Sequence, residues 1–305
     1  MRAVLDRIAQ SGLPLLHTVG AVEARRLYRE TRGALSPSVP KVAQVRDFAF
    51  PGPAGPVPLR FYRGPDTQDA LPLLVFFHGG GWTIGDLDTH DIICRTLANN
   101  ARCAVLAVDY RMGPEHRFPA AVDDSIAATR WAAGHAGELG IDAARIAVGG
   151  DSAGGNLAAV VAISLRDAGG PALVHQALIY PATDQRQDSA SHKKFAEGYL
   201  LTRDALVWFR DNYLAPADYD DWRASPVRAA DLSRLPPAHI ITAGFDPLMD
   251  EGHAYADALS AAGVAVQYEC FEGMAHGFLT MGGAVAGANH ALYRLGQQLS
   301  QAFRL

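Results

Sequence analysis

The sequence is poor in cysteine, with only three among 305 residues, at positions 94, 103 and 270. An odd number of cysteines without metal-ligand spacing does not suit a disulfide framework. We therefore expect buried free thiols and a reducing compartment. The cytoplasm is the predicted location.

Long apolar runs and an excess of positive charge are also missing. No stretch approaches the roughly 20 apolar residues of a transmembrane helix, and charged residues at positions 2, 6 and 7 interrupt the start of the chain, where a secretory signal needs a continuous apolar segment. The formal net charge is −5, and the Lys and Arg residues are scattered. We expect neither stable membrane insertion nor a nucleic-acid partner. The oligomeric state stays open, homo-oligomers included.

Glycine, in contrast, is abundant, and its most informative cluster is Gly-Gly-Asp-Ser-Ala-Gly-Gly-Asn at positions 149–156. An apolar run at 146–148 precedes this cluster and an Ala/Leu/Val-rich segment follows it, which predicts strand, tight turn and helix. Gly150 and Gly154 flank Ser152 with the spacing of a nucleophile elbow, where small neighbours let the two backbones approach closely. The alternatives are a turn without chemical role and a degenerate phosphate-binding loop.

Apolar runs alternate with segments of helical periodicity along most of the chain, which predicts a mainly parallel, doubly wound α/β sheet. The predicted core strands lie at 71–77, 104–108, 146–148, 174–179, 238–243 and 264–271. Two short amphipathic helices before residue 33 and a pair of edge strands within 42–62 precede them. Residues 183–222 break the pattern with mixed charged and aromatic side chains, and we interpret them as an inserted cap.

A serine hydroxyl becomes a useful nucleophile only beside a base that a third group orients. Asp246 and His276 each follow a predicted core strand, at the edge where open α/β sheets bind their ligands. Pro247 biases Asp246 toward the extended or turn geometry of a loop residue. Three other acids compete for the role of orienting His276: Asp250, Glu251 and Glu269. The first two are explained by capping and by the helix dipole, and the third lies within a strand.

The run His-Gly-Gly-Gly-Trp at positions 78–82 directly follows a buried strand. Backbone N–H groups preorganised around a developing oxyanion are often the largest single contribution to acyl-transfer catalysis. Four residues are candidate donors of such groups: Gly79, Gly80, Gly81 and Ala153. The sequence does not decide which glycines donate, and a merely flexible turn is the alternative.

Four motifs together resemble the hormone-sensitive-lipase family of α/β-hydrolase esterases. They are His-Gly-Gly-Gly-Trp at 78–82, Tyr-Arg-x-x-Pro-Glu-His at 110–116, Gly-Asp-Ser-Ala-Gly-Gly at 150–155 and Asp-Pro-Leu-x-Asp at 246–250. The chain order Ser, Asp, His is also that of α/β hydrolases. One departure, Met112-Gly113 where the family more often has Leu-Ala, lies in a structural loop. The resemblance covers nearly the whole chain.

This resemblance implies a single α/β-hydrolase domain over residues 1–305, with a small helical cap formed by about 1–40 and about 183–222. It also implies Ser152 as nucleophile, Asp246 and His276 as its partners, and the 78–81 loop as oxyanion hole. The expected reaction is hydrolysis of small carboxylic esters with short to medium acyl chains through an acyl-serine intermediate, without metal or organic cofactor. The alternatives are an amidase or peptidase with the same triad and a ligand-binding receptor on the same fold.

Further polar and aromatic residues carry weaker hypotheses. His78 and Asp151 are expected to hold loops in shape, and Arg111, Glu115 and His116 to form one structural network. Five aromatic residues are candidates for the wall of a substrate pocket, with ordinary core packing as the alternative: Trp82, Tyr180, Tyr199, Trp208 and Phe278.

Overall fold

An eight-stranded sheet forms the centre of the computed structural model, which describes residues 1–65 and 70–304. Its strands are β1 (Gln44–Gly52), β2 (Gly55–Arg63), β3 (Leu71–Phe77), β4 (Ala104–Val108), β5 (Ile141–Asp151), β6 (His175–Ile179), β7 (Ala238–Phe245) and β8 (Val266–Ala275). They lie in the order β1-β2-β4-β3-β5-β6-β7-β8. β1 pairs antiparallel with β2, and β2 with β4, whereas all pairs from β4 to β8 are parallel. The predicted mainly parallel sheet is confirmed.

Strand β3 shows why a continuous apolar run was the right signal. All seven of its residues are buried. Successive side chains of a strand point to opposite faces, and accordingly Leu73 and Val75 join one hydrophobic core whereas Leu74 and Phe76 join another. The sheet is therefore covered on both sides.

Ten α-helices lie within the described residues. They are α1 (Arg2–Ala9), α2 (Ala21–Arg32), α3 (Asp91–Ala101), α4 (Ala120–Gly134), α5 (Ala136–Leu139), α6 (Ala153–Asp167), α7 (Ala190–Lys194), α8 (Arg203–Tyr213), α9 (Met249–Ala261) and α10 (Ala286–Ala302). α4, α6 and α9 contribute to the core on one face of the sheet, and α3 and α10 to the core on the other. None of these helices is long and apolar enough to cross a membrane.

The segments predicted to form a cap contain four of these helices, α1 and α2 at the N-terminus and α7 and α8 after β6. α8 packs against a 3₁₀ turn at Leu16–Thr18, so the two segments meet. The division of the chain into one domain with a cap stays a prediction.

Three core strands run further than their apolar runs indicated. β5 begins at Ile141 instead of 146, because Ile141 pairs with Leu71 across an irregularity. Between this pair and the apolar run, Asp142 and Arg145 are half-buried, and positions 143 and 144 are exposed. β7 ends at Phe245 instead of 243, and β8 runs from Val266 to Ala275 instead of from 264 to 271. Phe245 and Ala275 pair at the ends of these two strands. As a result Asp246 and His276 each follow the last residue of a strand directly.

The three cysteines are all free thiols. Cys94 and Cys103 are buried, as expected, whereas Cys270 on the edge strand β8 is only half-buried.

A buried histidine predicts how the stability of the fold responds to acid. His175 begins β6, and burial, followed by the neighbouring His239, lowers its pKa from 6.5 to about 4. The unfolded chain therefore binds a proton between these two pH values and the folded chain does not, so the free energy of unfolding falls as pH falls. A shift of this size corresponds to roughly 3 kcal/mol.

We expect the melting temperature of His175→Gln to fall less than that of the wild type between pH 6.5 and pH 4, because glutamine does not titrate. Circular dichroism melts of both proteins across this range measure the effect. Equal pH dependence in both would contradict the assignment.

Candidate active site

Ser152 lies between β5 and α6 in a backbone conformation that residues other than glycine rarely adopt, with φ of 56° and ψ of −117°. Its N–H donates to the carbonyl of Ile179 at 2.8 Å. A side-chain carbon at Gly150 or at Gly154 would meet the carbonyl of Phe77 at the end of β3, so only glycine fits at both positions. The sequence predicted this strand, turn and helix, and Ser152 is the N-cap of α6.

The structure brings Ser152, His276 and Asp246 together in one chain of contacts. Nε2 of His276 lies 2.9 Å from Oγ of Ser152, and Nδ1 of the same ring lies 2.7 Å from Oδ2 of Asp246. Asp246 is fully buried, and its other oxygen, Oδ1, accepts the N–H of Leu248 at 2.8 Å. Since Nδ1–H donates to the carboxylate, Nε2 is left to accept the serine proton.

The glycine loop after β3 presents unpaired backbone donors. The N–H groups of Gly80 and Gly81, and that of Ala153 at the start of α6, have no acceptor among the residues that the structure describes. The N–H of Gly79 is already used, because it donates to Oδ1 of Asp151 at 2.8 Å. Of the three glycines named from the sequence, only the second and third are therefore free to bind an oxyanion.

Asp151 is a charged group buried directly before Ser152. Burial acts to raise the pKa of this carboxyl, but the adjacent His90, together with the hydrogen bond from Gly79, holds it below the usual range. Nε2 of His90 lies 3.2 Å from Oδ1 of Asp151. Asp151 therefore links the elbow to the loop that follows β3, in agreement with its expected loop-holding role.

The three acids that competed with Asp246 bind partners other than His276, and the two at the start of α9 do not cap that helix with their side chains. Oδ2 of Asp250 accepts the N–H of Ser191 at 2.7 Å, and Oε1 of Glu251 accepts the N–H of Thr183 at 2.7 Å. Both acids therefore hold the 183–191 segment against the first turn of α9. Glu269, in contrast, pairs with an arginine of α10 at 2.8 Å.

The aromatic residues proposed for the pocket wall occupy different places. Tyr180 and Phe278 are fully buried, and the ring of Tyr180 lies 4.6 Å from that of His276 between centroids. This placement suits support of His276 from within the core better than a pocket wall. Trp82 is buried and stacks on a tyrosine of α8 at 4.8 Å. Tyr199 is half-buried and stacks on Phe245, the residue before Asp246, at 5.2 Å.

The aromatic ring that reaches the glycine loop is Phe209, which was not among the pocket candidates. A side-chain carbon at Gly81 would collide with this ring. The half-buried Trp208 packs edge to face against Phe209 at 5.1 Å. Helical spacing in the sequence could have pointed to Phe209. It lies four residues before the buried Tyr213 and therefore on the same face of α8.

The network predicted for Arg111, Glu115 and His116 is not formed. Arg111 pairs with the buried Asp124 at 2.8 Å, whereas Glu115 pairs with an arginine of α2 at 2.6 Å and His116 is exposed. The three side chains therefore serve separate contacts. Within residues 1–65 and 70–304, no group of three or more His, Cys, Asp or Glu side chains could hold a metal ion.

Comparison with known proteins gives a consistent result. A family model of the α/β-hydrolase fold matches residues 74–280. The carboxylic ester hydrolase LipN of Mycobacterium tuberculosis is 50% identical over 268 residues, covering 84% of this chain and 71% of LipN. An ethyl acetate hydrolase of Pseudomonas putida is 40% identical over 302 residues, covering 97% and 94%.

Solved structures agree with these sequence relatives. An ester hydrolase from the metagenome of Lake Arreo, crystallised with a bipyridine phosphonate derivative, superposes with a TM-score of 0.97 at 42% identity, covering 100% of this chain and 98% of that one.

Proposed function

Because the chain belongs to the α/β-hydrolase fold family, among its hormone-sensitive-lipase-like carboxylic ester hydrolases, we propose that Ser152, His276 and Asp246 are its catalytic triad. The observation that carries this proposal is the continuous chain of contacts from Oγ of Ser152 through His276 to the buried Asp246, at 2.9 and 2.7 Å. In this role His276 takes the serine proton as Oγ attacks the ester carbonyl. It then gives that proton to the leaving alcohol.

The acyl-serine is hydrolysed by the same groups in reverse roles. His276 removes a proton from water as the water oxygen attacks the acyl carbon. When the tetrahedral intermediate collapses, His276 gives this proton to Oγ of Ser152 and the acid is released. Asp246 stabilises the imidazolium that forms in each half-reaction. We propose that the oxyanion of both tetrahedral intermediates accepts the N–H groups of Gly80, Gly81 and Ala153, with the positive end of α6 assisting.

The proposed substrates are small esters with short to medium acyl chains. Phe209 covers Gly81 in the glycine loop and narrows the space above it. The α-helices in the described 183–222 insertion are α7, of 5 residues, and α8, of 11, and a 3₁₀ turn of 3 residues follows them. α8 carries four charged residues. A long apolar helix that could open at a lipid surface is therefore absent from the described insertion. The relative from Pseudomonas putida, named for ethyl acetate, favours the same substrate class.

The proposal also covers the cap, the location of the protein, its partners and the alternative functions. Residues 1–40 and 183–222 act as the cap, the protein works in the cytoplasm, and it has no nucleic-acid partner, which the net charge of −5 supports. An amidase or peptidase with the same triad is the alternative, and parallel assays on ester and amide substrates separate the two. A receptor is disfavoured because all three triad residues stand in contact.

Ser152→Ala is expected to abolish ester hydrolysis with little change in melting temperature, because it removes only one half-buried hydroxyl. Turnover of p-nitrophenyl acetate and a thermal melt measure the two effects. An organophosphate should label the wild type once, at Ser152, as mass spectrometry of a peptide digest can show. Retained turnover in the variant would refute the nucleophile.

Asp246→Asn is expected to lower kcat by about 10⁴-fold, because the asparagine favours the wrong tautomer of the histidine. Asp250→Asn is the matched control. It stands four residues later and holds Ser191, so it should lower the melting temperature while kcat stays within about threefold. A large kinetic loss at Asp250 with normal turnover at Asp246 would overturn the assignment of the acid.

Phe209→Ala is expected to shift acyl-chain preference toward longer esters, because it opens the space above Gly81. Values of kcat/KM for p-nitrophenyl esters from acetyl to dodecanoyl measure the shift, with Trp208→Ala as the neighbouring control.

For the wild type we expect no rate jump above the solubility limit of the substrate. Such a jump would contradict the proposed preference for dissolved esters.

A further inference from the structure

Two successive peptide groups of the 78–81 loop form hydrogen bonds with buried side chains. In the peptide between His78 and Gly79, the carbonyl accepts the hydroxyl of Tyr110 at 2.7 Å, and the N–H donates to Asp151 at 2.8 Å. In the next peptide, the carbonyl of Gly79 lies 2.8 Å from Nδ1 of His78. The N–H of that peptide belongs to Gly80 and has no acceptor among the described residues.

The contact between His78 and the carbonyl of Gly79 defines where the ring proton lies. A carbonyl oxygen only accepts hydrogen bonds, so Nδ1 carries the proton. Burial, followed by the neighbouring His90, lowers the pKa of His78 to about 4, so that the ring is neutral near pH 7. Nε2 of His78 has no hydrogen-bond partner in the part of the chain that the structure describes.

Little space is left for the ring of His78 to take another orientation. It stacks on Tyr110 with 4.3 Å between centroids and 13° between planes. The backbone of Gly85 packs against the carbonyl of Gly79, the acceptor of this hydrogen bond. A side-chain carbon at Gly85 would collide with that carbonyl and come within 2.7 Å of Nδ1 of His78. The hydrogen bond is thereby shielded from water and holds its geometry.

We propose that His78 is a positioning residue of the oxyanion hole: its Nδ1–H holds the carbonyl of Gly79 and thereby aims the N–H of Gly80 at the oxyanion. The C=O and N–H of a planar trans peptide point in opposite directions, so fixing one fixes the other. A carbonyl that accepts a hydrogen bond also makes the N–H of its own peptide a stronger donor. This inference rests on the proposed function.

The first test compares His78→Asn with His78→Leu, two side chains of nearly the same shape. The amide nitrogen of asparagine can stand where Nδ1 stands, whereas leucine has no donor. We expect the leucine variant to lower kcat by about 10- to 100-fold with KM nearly unchanged, since a misaimed donor costs less than the 10²–10³ of a lost one. Asparagine should restore kcat to within about fivefold of the wild type.

Ser125→Ala is the control for a loss of stability alone. Ser125 is fully buried in α4, where its hydroxyl donates to the carbonyl of Ala121 at 2.7 Å. We expect a lower melting temperature, because one buried hydrogen bond is lost, while kcat stays within about threefold.

Equal values of kcat for the asparagine and leucine variants would overturn the inference, as would a loss in Ser125→Ala as large as that in His78→Leu. If the leucine variant does not fold, His78→Gln replaces it, because its amide stands at the Nε2 position and should behave as leucine does. A wild-type protein that neither hydrolyses esters nor is labelled at Ser152 refutes the proposed function instead.

Discussion

The arrangement of the site depends on how closely the first turn of α6 approaches the end of β3. A side-chain carbon at Gly154 would collide with the carbonyl of Phe77, and one at Gly150 would collide with both Gly154 and that carbonyl. The loop that carries the proposed oxyanion donors begins at the next residue, His78. One steric requirement therefore places Ser152, the proposed nucleophile with its positive φ, beside the proposed oxyanion donors.

The sequence was sufficient for those features that depend on local chain properties. β3 and β4 begin and end where their apolar runs do, because every residue in them is buried. Asp246 and His276 could be selected because parallel strands collect the residues after their ends at one edge of the sheet. Pro247 added a local reason to prefer Asp246. The distances that join these residues to Ser152 follow from the fold.

Partners that are distant in the chain could not be predicted in the same way. An acid at the start of a helix fits capping equally well, and only the folded chain shows that Asp250 bonds to Ser191 and Glu251 to Thr183. Phe209 and Trp208 are adjacent aromatic residues on one helix, so choosing between them required knowing which face of α8 is turned inward. The use of the Gly79 N–H by Asp151 likewise depends on a side-chain rotamer.

The hydrogen bonds of the 183–191 segment have a consequence for how the predicted cap can move. Ser191 donates its hydroxyl to the carbonyl of Pro247 and its N–H to Asp250, so the segment is attached to the turn that positions Asp246. The segment and the turn are therefore coupled mechanically. This part of the predicted cap cannot swing away from the sheet as a free lid without breaking both hydrogen bonds.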